Sequence, residues 1–117
     1  MRDDVNESDW KLFRERIAGW QEAFMETLIA EYAIILQDGT KAASERFWEI
    51  EKRIKEDKKY YGVCCERKRS VLSDNMVQLY MEGTIDDEDL VGFSDELVAD
   101  VRRRVKLRKE WKEPNDD

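Results

Sequence analysis

Asp86, Asp87, Glu88 and Asp89 form the densest group of side chains in this sequence that could do chemistry. Carboxylates at that density suit hard cations such as Ca²⁺ or Mg²⁺. An EF-hand loop, however, alternates its ligands around a central Gly and ends on a Glu, and that pattern is missing here. Helix capping explains the cluster better. Asp86 and Asp89 have the spacing of a capping box, with Asp where Glu is usual, and acidic groups compensate a helix N-terminus. General acid–base catalysis leans on His, which is absent from the chain. Without His, a di-iron carboxylate bundle and a His-activated thiol are both excluded. Cys64 and Cys65 are too few for a metal site, and a disulfide between neighbours is strained. They are expected to be two reduced thiols, one facing the core. The residue inventory therefore predicts no catalytic residues, no metal and no cofactor, and hence no enzyme.

Charge is what remains for function to use. Seven acidic residues and no basic one lie between positions 86 and 100, and six basic residues follow in the eight positions 102–109. Carboxylates fixed on helices can imitate the phosphate spacing of DNA and occupy a basic groove on another protein. Asp86, Asp87, Glu88, Asp89, Asp95, Glu96 and Asp100 make the best such array, and Asp3, Asp4, Glu7 and Asp9 make a second. The opposite reading uses Arg102, Arg103 and Arg104, together with Lys58, Lys59, Arg67, Lys68 and Arg69 around Tyr60 and Tyr61. Such a stretch can hold phosphates and stack bases. A net charge of −7 and a pI near 4.8 weigh against direct nucleic-acid binding. So does intrahelical pairing such as Glu51 with Lys55.

The elements that must position these residues are helical. The helix formers Leu, Glu, Lys, Arg and Ala supply 51 of the 117 residues, and the single Pro and five Gly leave few breakers. Phe13, Ile17, Trp20, Phe24, Leu28 and Ile35 recur at steps of mostly three and four, predicting a helix over residues 10–37. Asn6 or Ser8 caps its start, and Gly39 supplies a left-handed end. Gly19 inside it marks a bend or a close helix approach. A second helix is expected from Lys41 or Ser44 to Lys59, with a stripe of Phe47, Ile50 and Ile54 beside Trp48. A third is expected over residues 63–82, burying Cys64, Val71, Leu72, Met76, Leu79 and Tyr80 and stopping at Gly83. A capped short helix at residues 86–90 leads to a last helix from Asp95 to about Trp111. Ser94 caps it, and Leu97, Val98, Val101 and Val105 are its buried positions. Trp10, Trp20 and Trp48 read as core or dimer seam.

The expected fold is all-α: an antiparallel bundle of about four helices plus a short connecting helix. Residues 1–112 should form a single domain, followed by a frayed acidic tail at 113–117. The longest apolar run, residues 32–36, is far too short to span a bilayer, and residues 1–4 carry no signal-peptide core. A cytoplasmic protein without membrane contact is the expectation.

The segment Asp9-Trp10-Lys11-Leu12-Phe13-Arg14, continued by Trp20-Gln21-Glu22-Ala23, resembles a group of short Firmicutes proteins encoded by mobile elements. So do Phe47-Trp48-Glu49-Ile50-Glu51-Lys52-Arg53-Ile54, Asp89-Leu90 and Phe93-Ser94-Asp95-Glu96-Leu97. The resemblance spans roughly residues 8–105. Some of the group are labelled multidrug transporters, which the hydropathy here contradicts. The resemblance brings no assigned mechanism and no site residues. It implies a mobile-element protein, and with the acidic array it points to an inhibitor of the anti-CRISPR or other anti-defence type. Its partner would be a protein with a basic surface, such as a defence nuclease. The alternative is a dimeric helical accessory protein that touches nucleic acid weakly through its basic helices.

Overall fold

Asn6 starts the first helix, its side chain accepting from the backbone N–H groups of Ser8 and Asp9 at 2.8 and 3.3 Å. Among the described residues, 5–112 in this computed structural model, helices account for the regular structure and there is no strand. The first helix, α1, is Glu7–Leu36. It is followed by α2 (Ala43–Asp57), a 3₁₀ turn at Arg69–Val71, α3 (Leu72–Met81), a second 3₁₀ turn at Asp87–Leu90, and α4 (Asp95–Lys112). The expected acidic tail at 113–117 lies outside the described residues, as do Asp3 and Asp4 of the second acidic array.

At 30 residues α1 is about 45 Å long, and its two halves do different work. The N-terminal half lays Phe13, Ile17 and Trp20 against Leu72, Met76, Val77 and Leu79 of α3 and Val101 and Val105 of α4. Ile85, Leu90 and Phe93 close that core from the connection between α3 and α4. The C-terminal half runs past that core and meets α2 and the chain just after it, where Phe24 packs edge-on against Tyr60. The resulting radius of gyration, 17.3 Å, is well above the ~13 Å of a compact chain of this length.

One helix end differs from expectation. Gly39 does not take the left-handed conformation: among the described residues positive φ occurs at Gly83 (82°) and Gly92 (99°). Instead Asp38 turns the chain, accepting from the Thr40 N–H at 3.0 Å and the Thr40 hydroxyl at 2.5 Å. The orphan carbonyl of Leu36 is met by Arg46, whose guanidinium donates at 2.7 Å. The second helix starts at Ala43, between the expected Lys41 and Ser44, and the Glu45 carboxylate accepts the Ala42 N–H at 2.9 Å.

The stripe expected on α2 is corrected. Phe47, Ile54 and Trp48 are exposed, Ile50 of that stripe is half-buried, and Asp57 is the residue that α2 buries. The face turned to α1 carries Arg46, Arg53 and Asp57 at helical spacing, with the half-buried Ile50 among them. Arg53 bridges Glu31 at 2.7 Å and Asp57 at 3.3 Å, and the Tyr32 hydroxyl donates to Asp57 at 2.6 Å. Burial, with the Asp57 hydrogen bond, pushes the Tyr32 phenol up to about 12. A period-3.6 apolar pattern fixes which residues share a face, but not which face meets the neighbour.

The third helix begins at Leu72 rather than at residue 63. Residues 58–68 are irregular because side chains of other elements take over their backbone groups. Gln21 donates to the Tyr61 carbonyl at 2.9 Å, and Asn75 donates to that of Glu66 at 2.6 Å. Glu82 accepts the N–H groups of Tyr61 and Gly62 at 2.6 and 3.3 Å. Cys64 consequently turns to solvent, and Cys65 is the thiol packed against the core. The connection from α2 to α3 is thus long, where short linkers were expected. Gly83 ends α3, and Ser94 caps α4, its hydroxyl oxygen accepting the Leu97 N–H at 3.2 Å, both as expected.

Two glycines on α1's path separate by environment. A Cβ on Gly19 would meet nothing within 4 Å, so this residue neither admits a helix nor makes a close approach. A Cβ on Gly62 would lie 2.5 Å from the Phe24 ring and 2.6 Å from Thr84 Oγ1. Gly19→Ala should therefore raise the unfolding free energy by about 1 kcal/mol. Gly62→Ala should lower it by ~1–3 kcal/mol. Urea denaturation of the two variants checks both signs.

Candidate interaction surface

The acidic segment is held rigidly against α1. Asp86 accepts from the N–H groups of Glu88 and Asp89 at 3.0 and 3.3 Å, and Asp89 accepts the Asp86 N–H at 2.9 Å, completing the capping box. It caps a 3₁₀ turn rather than an α-helix. From α1, Arg16 donates to the carbonyls of Asp89 and Val91 at 3.2 and 2.7 Å. Buried Asp9 accepts from the Ser94 N–H at 2.7 Å and the Ser94 hydroxyl at 2.5 Å. Asp9 is therefore a structural clamp and no part of a second acidic surface, and Glu7 pairs with Arg69 at 2.5 Å. Asp9 stands one turn before Phe13 on the core stripe, a carboxylate in an apolar position, which is the signal that marks it.

The seven expected acidic site residues divide into three sets. Asp86 and Asp89 cap the turn. Asp87 and Asp100 pair with arginines of α4: Arg102 reaches Asp87 at 3.0 Å, and Asp100, on α4 itself, is paired with Arg103 and, at 3.5 Å, with Arg104. Glu88, Asp95 and Glu96 are exposed. Asp95 and Glu96 also sit in the first turn of α4, where the helix dipole favours them. The charge reversal thus folds back on itself, α4 laying its arginines over the acidic residues of α3 and of the connection before it. Arg104 adds Asp74 and the Ser73 hydroxyl, the latter at 2.7 Å. Arg108 adds Gln78 at 3.0 Å.

The eight basic residues of the alternative reading do not gather into one patch. Beyond Arg102, Arg103 and Arg104, Arg67 donates to Gln21 at 2.6 Å, Lys68 pairs with Glu66 at 3.3 Å, and Arg69 pairs with Glu7. Lys58 and Lys59 are exposed at the end of α2. A phosphate would have to compete with carboxylates for most of this set.

Chemistry elsewhere is sparse. Among the described residues no group of three His, Cys, Asp or Glu side chains could hold a metal ion, and no helix is long and apolar enough to cross a membrane. Both cysteines are free, and burial pushes the Cys65 thiol up, away from the thiolate form. The sequence did not indicate the apolar flank of the hairpin formed by α1 and α2. Ile29, Leu36, Phe47 and Ile54 stand exposed there. No protein-family model matches this chain, and neither the curated proteins nor the solved structures give a significant match to it.

Two of the clasps carry a pH signature. Tyr80 donates to Asp87 at 2.8 Å and, ahead of Arg102, holds that carboxyl below its ordinary value. The Ser73 hydroxyl, 2.5 Å from Asp100, does the same for Asp100, with Arg103 and Arg104 adding to it. A carboxyl whose folded pKa lies below its unfolded value of about 3.9 stabilises the fold above that pH. That contribution is lost as pH falls through the folded value. The denaturation midpoint should accordingly drop on acidification below about pH 4. The Asp100→Asn midpoint should be lower at neutral pH and converge on that of the natural chain at the acid end. Urea titrations over the pH series read this directly.

Proposed function

We propose that this chain is a non-enzymatic protein-interaction module that presents a fixed acidic surface to a basic, nucleic-acid-binding protein. One observation carries the reading: Glu88, Asp95 and Glu96 are exposed on a segment that Asp9 and Arg16 pin to α1. Carboxylates on a loose loop would lose side-chain and backbone entropy on binding, whereas a pinned array is ordered beforehand. Its charge also steers association with a basic groove. The resemblance to mobile-element proteins suggests the partner class, a nuclease of a host defence system, and the anti-CRISPR type of inhibition. The arginines of α4 serve this reading as internal braces, Arg104 reaching Asp74 of α3 and Arg102 reaching Asp87 of the turn.

The fold constrains the test. Asp86 and Asp89 cap the turn and Asp100 braces α4, so neutralising them would disturb the scaffold. The informative variant is Glu88→Gln, Asp95→Asn and Glu96→Gln together. In a pull-down from native host extract at low ionic strength, the natural chain should retain a basic partner and release it at high salt. The triple variant should fail to retain it while its circular dichroism stays that of the natural chain. Equal retention by both proteins, or a DNA or RNA band retarded by the natural chain and lost on neutralising Arg102, Arg103 and Arg104, would overturn the proposal.

A further inference from the structure

The hairpin of α1 and α2 joins through Arg46, Arg53 and Asp57 beside the buried Leu28, and among the described residues it leaves an apolar flank exposed. Met25, Ile29, Tyr32 and Leu36 recur at four, three and four along α1, and Phe47 and Ile54 stand beside them on α2. Ile29, Leu36, Phe47 and Ile54 are 56%, 46%, 63% and 41% exposed. Between the helices runs a shallow groove of about 190 Å³, floored by Leu28 and walled by Met25, Ile29, Tyr32 and Ile54. A helix of 15 residues is marginal in water without packing, and α2 buries Asp57 in place of a core residue.

The rim of the flank indicates what covers it. Beyond Ile29, helical spacing places Glu22 and Glu26 on the α1 edge. Beyond Ile54 it places Lys58 and Lys55 on the α2 edge, with Glu51 one turn before Lys55. One edge is predominantly acidic and the other predominantly basic, so the flank complements itself. A two-fold axis parallel to the hairpin sets α1 of one copy over α2 of the other, antiparallel, and brings Glu26 opposite Lys58 of its mate. The exposed apolar side chains amount to on the order of 400 Å² per copy. That is about half of the ~800 Å² each partner gives to a standard interface, and the charged rim supplies the remainder. We infer that two copies of this chain pair through the flank made by Ile29, Leu36, Phe47 and Ile54, forming an antiparallel four-helix bundle from two hairpins. This surface shares no residue with the acidic segment at 86–96, so the two readings stand or fall separately.

Light scattering and sedimentation of the full chain test the pairing. The natural protein should be a dimer at micromolar concentration. Phe47→Glu and Ile29→Glu, both at exposed positions, should weaken it on the order of a hundredfold, the size of a hot-spot loss. Because α2 gains order from the pairing, a second measurement guards against simple unfolding. Glu26→Lys and Lys58→Glu should each weaken the dimer several-fold and together restore it. A natural chain that stays monomeric at hundreds of micromolar would overturn the inference. So would a dimer that survives Phe47→Glu but is lost on Trp111→Glu, which would place the contact at the exposed end of α4.

Discussion

A single uninterrupted helix longer than the core it serves is the constraint from which the rest of this molecule follows. The N-terminal half of α1 gives Phe13, Ile17 and Trp20 to a core shared with α3 and α4. The same half carries three polar residues, Asp9, Arg16 and Gln21, that reach across to irregular chain. Each satisfies backbone groups that would otherwise be orphaned: Ser94 N–H, the carbonyls of Asp89 and Val91, and the Tyr61 carbonyl. A polar group buried without a partner is costly, so these contacts select one arrangement of the connections among many. The acidic segment is rigid because α1 makes it so.

The C-terminal half of α1 has no such core to serve. It meets α2 through Arg46, Arg53, Glu31, Tyr32 and Asp57, groups that are good at specifying register and poor at supplying burial energy. Partly exposed ion pairs of this kind contribute little each, roughly 0–1 kcal/mol. The hydrophobic effect, proportional to apolar area removed from water, is left unspent on the outer flank. With Asp57 buried and Phe47 and Ile54 exposed, α2 reverses the pattern of a helix in a monomeric hairpin.

The periodicity made the helices legible, and the location of buried partners decided what it could not show. The stripe on α1 and the valines of α4 were readable because Phe13, Ile17, Val101 and Val105 are buried as their spacing implies. The stripe of Phe47 and Ile54 was equally regular and points to solvent, since spacing does not say whether a neighbour lies on that side. Residues 63–71 have helical composition, yet Gln21 and Glu82 take backbone groups of Tyr61 and Gly62, and Asn75 takes the carbonyl of Glu66, a long-range effect with no local trace. The capping of the acidic turn and the Ser94 cap were visible because capping is local. The pairing of Arg102 to Arg104 was only half visible: Asp100 lies within helical reach on α4 itself, but Asp87 on the turn and Asp74 on α3 are met only through the fold.

The division of α1 into a clamped half and a bare half also shapes the route by which the chain reaches its native state. Contacts among α1, α3 and α4 bury the apolar area but join residues far apart in sequence, so their loops must close before they repay the entropy lost. The hairpin of α1 and α2 is local and closes early, yet it gains little when it does. Early-formed structure is therefore the least protected, and the last contacts to form are those that hold the molecule together. Amide protons of α2 should exchange by opening of the hairpin alone, while those at Ile17 and Met76 wait for the whole molecule to unfold.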